Sequence, residues 1–262
     1  MYLSERAAKK ARQSFFNKIV VIFCAVLLLA TILALFSRSS FAFAKMTVSG
    51  NTVTEKTILE KSINTVTDHD LLFFFKRNNI LFFPANRVKR EMMAAFPRIK
   101  EIKIKRKDFK EIEIAVFERR GDYLWCQSQE KCFLIDDTGF IYAPAPYLIG
   151  NAFLRFYGGG ELAVGEAFLP EAEFNRLLLL KEKLDTTPLA PRNIELRENE
   201  YDLILVDGGK IIISRKNDFE AAFNSLISAM AAAPLDKKLK EEMDKLEYLD
   251  LRFKDRVVYK FK

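Results

Sequence analysis

The longest uninterrupted run of apolar residues covers residues 19–36, where Thr31 is the single polar side chain and no residue is charged. A helix of this length rises about 1.5 Å per residue and measures about 27 Å, close to the hydrocarbon thickness of a bilayer. A helix packed on a soluble core would show a polar face, and this run has none. The pattern therefore predicts a transmembrane helix over residues 19–36.

After a linker at 37–45, residues 46–117 show the alternating and helical patterns of one small domain. The order β-α-α-β-β is expected from a strand near Met46–Asn51, helices at 55–65 and 86–96, and a hairpin formed by residues 102–105 and 112–116. Between the helices, Phe73–Phe75 are expected to pack in the core or between helices, with an exposed contact patch as the alternative.

Residues 118–262 read as a second domain of short strands and flanking helices. Strands are expected at 123–127, 131–136, 139–143, 193–198, 201–206, 210–214, 248–253 and 256–260, and helices at 170–184, 218–230 and 235–244. The stretch between residues 144 and 169 is rich in Gly and Pro and predicts no regular element. The expected fold class is α+β, with a mixed antiparallel β domain and flanking helices.

Composition excludes some classes of protein, and the net charge suggests another class that its distribution then makes unnecessary. A chain of 262 residues, 50% hydrophobic with 8 Pro and 10 Gly, is neither disordered nor collagenous. Its net charge of +7 invites a nucleic-acid interpretation. However, the charge divides into +4 over residues 1–18, +8 over 37–120 and −5 over 121–262. The basic residues before the apolar run act as an orientation signal, so no nucleic acid is needed to explain them.

The positive flank of residues 1–18 predicts a cytoplasmic N-terminal tail, with residues 37–262 outside the cytoplasm. Two interpretations stay open. The apolar run is a retained signal anchor, or it belongs to a signal peptide cleaved at Ala42-Phe43-Ala44. The apolar run is longer than the core of a usual signal peptide, which favours the anchor.

Cys126 and Cys132 flank a predicted hairpin turn, whereas Cys24 lies inside the apolar run. In an oxidising compartment, two cysteines that face each other across a hairpin can form a disulfide. Free thiols are the alternative. A metal site would need two further ligands, and the chain has a single histidine, His69.

We find no catalytic constellation in the sequence. His69 lies in a polar turn, and no nucleophile elbow or zinc-protease motif is present. Gly158-Gly159-Gly160 lacks the Lys-Ser/Thr of a phosphate loop and is expected to be a flexible loop. Asp136-Asp137 and Asp202 with Asp207 have the residue types of an acid–base pair, but their positions beside turns favour a turn role. No cofactor or metal is expected.

One further feature is a run of basic residues along the predicted hairpin of the first domain. It comprises Lys100, Lys103, Lys105, Arg106, Lys107 and Lys110. A solvated β face is one interpretation. The alternative is a surface that meets an anionic membrane or an acidic partner.

In order and spacing, these elements resemble the FtsQ/DivIB family of bacterial cell-division proteins over essentially the whole chain. The first domain resembles a POTRA module through Val48-Ser49-Gly50-Asn51, Asn79-Ile80-Leu81-Phe82, Phe96-Pro97-Arg98-Ile99 and Val116-Phe117-Glu118-Arg119. The β domain matches at Leu124-Trp125, Phe133-Leu134-Ile135-Asp136 and the C-terminal Tyr248–Lys260 segment. Arg120, where the family often has Pro, and the Cys126/Cys132 pair depart from the family pattern.

The resemblance implies a non-enzymatic, single-pass scaffold of the divisome in the inner (plasma) membrane at the division septum, supporting septal cell-wall synthesis. Its implied partners are FtsB/FtsL-like proteins, which would add a strand to the sheet at the C-terminus. The implied partner-binding residues are Tyr248, Leu249, Asp250, Leu251, Arg252, Phe253, Arg256, Val257, Val258, Tyr259 and Lys260. The alternative is a POTRA-containing chaperone or transport component, although the chain has one such module and no barrel segment.

Overall fold

A computed structural model describes residues 2–36, 45–67, 80, 83–107, 110–121, 123–146, 153–254 and 256–262. The chain forms two compact units, Met1–Glu118 and Arg119–Lys262, and the fold is a mixture of helices and sheets, as the sequence predicted. His69 and Phe73–Phe75 lie outside the described residues.

Helix α1 runs from Tyr2 to Phe36 and therefore includes both the basic tail and the apolar run. No Gly or Pro interrupts these residues, so nothing in the sequence ends the helix between tail and apolar segment. Its segment Phe15–Ile32 is long and apolar enough to cross a membrane, and none of that segment is buried inside the protein. The hydroxyl of Thr31 donates a hydrogen bond to the Leu28 carbonyl (2.8 Å) and leaves no unpaired donor there.

In the rest of the first unit, the described residues form a three-stranded sheet and two α-helices. Its elements are β1 (Lys45–Ser49), α2 (Lys56–Thr67), α3 (Ala85–Ala95), β2 (Ile99–Lys107) and β3 (Glu111–Glu118). The strand order is β1-β3-β2, with β3 parallel to β1 and antiparallel to β2. The core forms where Leu59 and Ile63 of α2 and Val88 and Met92 of α3 cluster with inward strand residues such as Ile114.

Two features hold the turn after β1 against the end of β3. Gly50 has a φ of +83°, and a Cβ at this position would lie 2.3 Å from the Val116 carbonyl oxygen, so only glycine fits without a shift. The Glu118 carboxylate accepts hydrogen bonds from the Thr52 hydroxyl (2.6 Å) and from the Val53 and Thr54 amides (2.9 Å each).

The described residues of the second unit form a nine-stranded sheet and three α-helices. The strands are β4 (Tyr123–Cys126), β5 (Cys132–Ile135), β6 (Ile141–Pro144), β7 (Leu154–Tyr157), β8 (Pro191–Leu196), β9 (Glu200–Leu205), β10 (Lys210–Ser214), β11 (Leu246–Asp250) and β12 (Val258–Phe261). The helices are α4 (Glu171–Asp185), α5 (Phe219–Met230) and α6 (Leu235–Glu241). The strand order is β12-β11-β10-β9-β8-β7-β4-β5-β6.

Strand β7 corrects the sequence prediction, which left residues 144–169 without a regular element. This strand lies between β4 and β8 and is parallel to both. Strands β10 and β11 are also parallel, because α5 and α6 carry the chain between them. The sheet is therefore mixed rather than antiparallel, and the last two strands are also displaced by a few residues from the predicted ranges.

The helices pack on one face of this sheet, over an aromatic core. Phe156 and Phe174 lie with ring centroids 5.1 Å apart, beside Trp125. The Trp125 indole donates to the Gly158 carbonyl (2.9 Å), and a Cβ on Gly158 would lie 2.3 Å from the Leu196 carbonyl oxygen. Gly158 follows β7 in a loop, as the sequence predicted, and this residue contacts two neighbouring strands.

Candidate partner-binding strand

Strand β12 is an edge of the nine-stranded sheet. It pairs antiparallel with β11 on one side, and no strand among the described residues pairs with its other side. In an antiparallel edge strand, every second residue directs its backbone N–H and C=O groups away from the sheet. Such unpaired groups are a template for an incoming strand.

The side chains of this segment alternate between two faces. Val257, Tyr259 and Phe261 are partly buried and pack against the core of the second unit. Arg256, Val258 and Lys260 are exposed. The strand is therefore held to its own domain by one face, while its opposite face is exposed and its outer edge pairs with no strand of the described residues.

Polar contacts secure β12 to β11. The Lys260 ammonium lies 2.8 Å from the Glu247 carboxylate, and this hydrogen bond raises the pKa of Lys260. At the chain end, the Lys262 amide donates to the Lys245 carbonyl (2.9 Å). The pairing of β11 with β12 shifts between Leu246 and Tyr248, close to both contacts. The strand is thus anchored on its inner side up to the last residue of the chain.

Residues 249–251 of the predicted binding segment are buried and do not belong to the edge strand β12. Leu249 and Leu251 are buried in the core of the second unit, and Asp250 is only 4% exposed. Tyr248 is partly exposed, on the strand next to the edge. The side chains of Leu249, Asp250 and Leu251 would not contact a strand that adds to β12, so their role is to support β11.

Asp250 is held by an arginine clamp. The Arg252 guanidinium donates to both Asp250 carboxylate oxygens, with the shortest contact at 2.6 Å, and also to Glu200 (3.0 Å). Burial would raise the pKa of Asp250, but the hydrogen bonds from Arg252 outweigh it, so the pKa lies below its usual value. The clamp ties the end of β11 to the start of β9 and leaves Arg252 engaged inside its own domain.

In the connection between β11 and β12, the Arg256 guanidinium stacks 4.6 Å from the centre of the Phe253 ring. Phe253 is 42% exposed, so this pair stands on the surface beside the edge strand. Of the predicted residues, Phe253, Arg256, Val258 and Lys260 have exposed side chains on or directly beside the edge strand.

Sequence reasoning missed a groove beside the start of β12. It has a volume of about 550 Å³ and is lined by Asn224, Ser225, Ser228 and Ala229 of α5 together with Arg256 and Val257. The available signal was the spacing of Ser225, Ser228 and Ala229, which places small residues on one face of the helix. Small side chains there leave room at the edge of the sheet.

The two cysteines of the β domain form a disulfide. Cys126 and Cys132 are directly opposite each other on β4 and β5, with Cα atoms 4.0 Å apart. These strands are separated from β12 by several strands of the sheet. The disulfide therefore belongs to the β4–β5 hairpin and not to the candidate binding strand.

Two of the acidic residues considered as members of catalytic pairs, Asp136 and Asp202, have structural partners. Asp136, 1% exposed, accepts hydrogen bonds from the Thr138 amide and hydroxyl and from the Phe140 amide, and it forms an ion pair with Arg119. Burial would raise the pKa of Asp136, but these hydrogen bonds outweigh that effect, so the pKa of Asp136 lies below its usual value. Asp202 lies 3.0 Å from the Lys210 ammonium. Among the described residues, no group of three or more His, Cys, Asp or Glu side chains is placed to hold a metal ion.

Comparison with models of known protein families gives no match for this chain, and comparison with curated proteins gives none either.

Proposed function

We propose that the protein is a non-enzymatic, single-pass membrane scaffold of the bacterial divisome, of the FtsQ/DivIB type, with a POTRA module in the first unit. The N-terminus stays in the cytoplasm, helix α1 crosses the inner (plasma) membrane at the septum, and residues 37–262 lie outside the cytoplasm. There the scaffold binds FtsB/FtsL-like division proteins and supports septal cell-wall synthesis.

The observation that carries the proposal is the accessible edge of β12. An extended segment of a partner would pair with the outward N–H and C=O groups of this strand and extend the nine-stranded sheet. Its side chains on one face would lie near Val258 and Lys260, and those on the other face near the groove lined by Ser225 and Ser228. One helix, α1, is long and apolar enough to anchor the scaffold.

Photo-crosslinking of the full-length chain tests this arrangement. A photoreactive amino acid at Val258, exposed on β12, should crosslink to co-expressed FtsB/FtsL-like proteins. The matched control carries the same amino acid at Arg192, which is exposed on β8, a strand with neighbours on both sides. Equal crosslinking from both positions, or none from Val258 while the proteins still co-purify, would rule out strand addition at β12. Failure to co-purify would rule out the divisome assignment.

A truncation test must spare β11. A chain that ends at Asp244 loses Leu246, Leu249 and Leu251, all of which are buried in the core. Loss of binding would then report damage to the core. A chain that ends at Arg256 removes β12 and keeps β11. Because Val257, Tyr259 and Phe261 also pack against the core, a loss of partner recovery reports on the edge strand when the circular dichroism of this variant matches that of the full chain.

A further inference from the structure

Five exposed basic side chains gather at one end of the three-stranded sheet in the first unit. They belong to the start of β1, the end of β2 and the following turn, and we call them the basic tip: Lys45, Lys105, Arg106, Lys107 and Lys110. The Lys45 amide donates to the Lys110 carbonyl (3.3 Å), which brings the start of β1 against the turn between β2 and β3.

Of the five tip residues, Lys45 alone is paired with an acidic side chain of the described residues. Farther along β2, the Lys103 ammonium lies 3.4 Å from the Glu101 carboxylate and 4.8 Å from the centre of the Phe117 ring. At the tip, Glu111 is held by Lys45 (3.7 Å) and by the Thr47 hydroxyl (3.0 Å). Lys105, Arg106, Lys107 and Lys110 form no ion pair with any residue that the structure describes.

The chain itself places the basic tip near the membrane. The segment that can cross a bilayer belongs to α1, which ends at Phe36, and β1 begins nine residues later at Lys45. Nine extended residues span at most about 30 Å. A short tether of this kind gives an effective concentration in the millimolar range, so a weak attraction is enough to dock the tip.

We propose that the basic tip docks on the anionic phospholipid surface of the same membrane that α1 crosses. Unpaired lysine and arginine side chains attract acidic lipid headgroups within about a Debye length, roughly 10 Å at 0.1 M salt. The tether favours lipid over an acidic protein because every copy of the tip has the membrane within reach. The proposal rests on the membrane anchor and is independent of strand addition at β12.

Hydrogen exchange on the full-length chain in lipid nanodiscs tests the proposal. Nanodiscs that contain phosphatidylglycerol are compared with nanodiscs of phosphatidylcholine alone. Amides of residues 99–107 and 45–49 should exchange about threefold more slowly on the anionic lipid. This difference should disappear at about 0.5 M salt, where the Debye length falls to a few ångströms. Equal exchange on both lipids at low salt would overturn the proposal.

Variants that remove positive charge test whether the basic tip itself makes the contact with anionic lipid. The slowing on anionic lipid should be lost in the triple variant Lys105→Gln, Arg106→Gln, Lys107→Gln, whose changes are all exposed. The matched control removes three exposed charges from the second unit: Lys216→Gln, Lys237→Gln, Lys240→Gln. Unchanged exchange of β3 in the tip variant confirms that its sheet is intact. An equal loss in both triple variants would show that total charge, and not the tip, controls the contact.

Discussion

At the scale of single residues, Glu118 is the clearest case of a side chain whose charge holds the fold. Its carboxylate caps the turn at Thr52–Thr54 through three hydrogen bonds. Burial would raise its pKa, but these hydrogen bonds outweigh that effect and lower the pKa from 4.5 to about 2. A pKa that is lower in the folded state stabilises the fold fully above 4.5, and this contribution is lost as the pH falls towards 2.

Glu118→Gln should lower the free energy of unfolding by about 1–3 kcal/mol at neutral pH, because a charged acceptor of three hydrogen bonds is lost. The difference from the wild type should shrink as the pH falls from 4.5 towards 2. Urea unfolding of the detergent-solubilised chain at about pH 7 and about pH 3 measures both values. Glu113→Gln, exposed on the same strand, is the control and should change little. A wild-type advantage that stays constant with pH would contradict this account.

The sequence marked Glu118 only as part of a family-like segment. Its partners lie about 65 residues away along the chain, so no local pattern connects them. Asp136 is different, because its hydrogen bonds reach only two to four residues ahead. Its role in a turn was therefore predictable from the adjacent Asp137-Thr138-Gly139.

At the scale of elements, the β4–β5 hairpin combines a strand ladder with a crosslink. Cys126 and Cys132 are paired in register at the end of the ladder that also joins Tyr123 to Ile135. The disulfide therefore closes a loop of only a few residues and restricts the unfolded chain more than it shapes the folded one.

Reduction of the disulfide should lower the free energy of unfolding by about 2 kcal/mol while the folded sheet persists, because the loop it closes is short. Chemical unfolding with and without a thiol reductant gives this difference. The double variant Cys126→Ser, Cys132→Ser should match the reduced protein and be insensitive to reductant. If reductant abolishes the native circular dichroism at low denaturant, the hairpin depends on the crosslink far more than the ladder suggests.

Helices with a long periodic signal and the short strands β4, β5 and β6, which are joined by recognisable turns, were predictable from sequence, whereas β7 was not. Helix α4 has five buried apolar residues at helical spacing, and it lies where the pattern predicted a helix. Strand β7 has four residues, too few for a clear alternation. It is a strand because β4 and β8 pair with it from both sides, and those contacts are distant in sequence.

At the scale of the whole molecule, strand order decides which segment is available to a partner. The sequence places β11 and β12 together at the C-terminus, and it does not show that β12 is the edge while β11 is interior. The parallel pairing of β10 with β11 settles this, because β11 then has neighbours on both sides. The predicted binding segment accordingly divides into a buried support, Leu249–Leu251, and an accessible edge, Val258–Lys260.

The uneven charge of the chain makes a prediction about its orientation. Residues 1–18 carry five basic residues, and a membrane protein keeps such a flank in the cytoplasm. A C-terminal fusion to alkaline phosphatase, which is active only outside the cytoplasm, should therefore be active. Lys9→Glu, Lys10→Glu and Arg12→Glu together should reduce that activity severalfold.

The control for orientation places the same charge changes far from the membrane segment, at Lys216, Lys237 and Lys240, where they should leave the reporter activity unchanged.

The electrophoretic mass of the chain without a fusion distinguishes a retained signal anchor from a cleaved signal peptide. A retained anchor keeps the full 30.3 kDa, whereas cleavage after Ala44 removes 44 of the 262 residues. A shortened product would also remove the tether on which docking of the basic tip depends, so this measurement bears on both proposals.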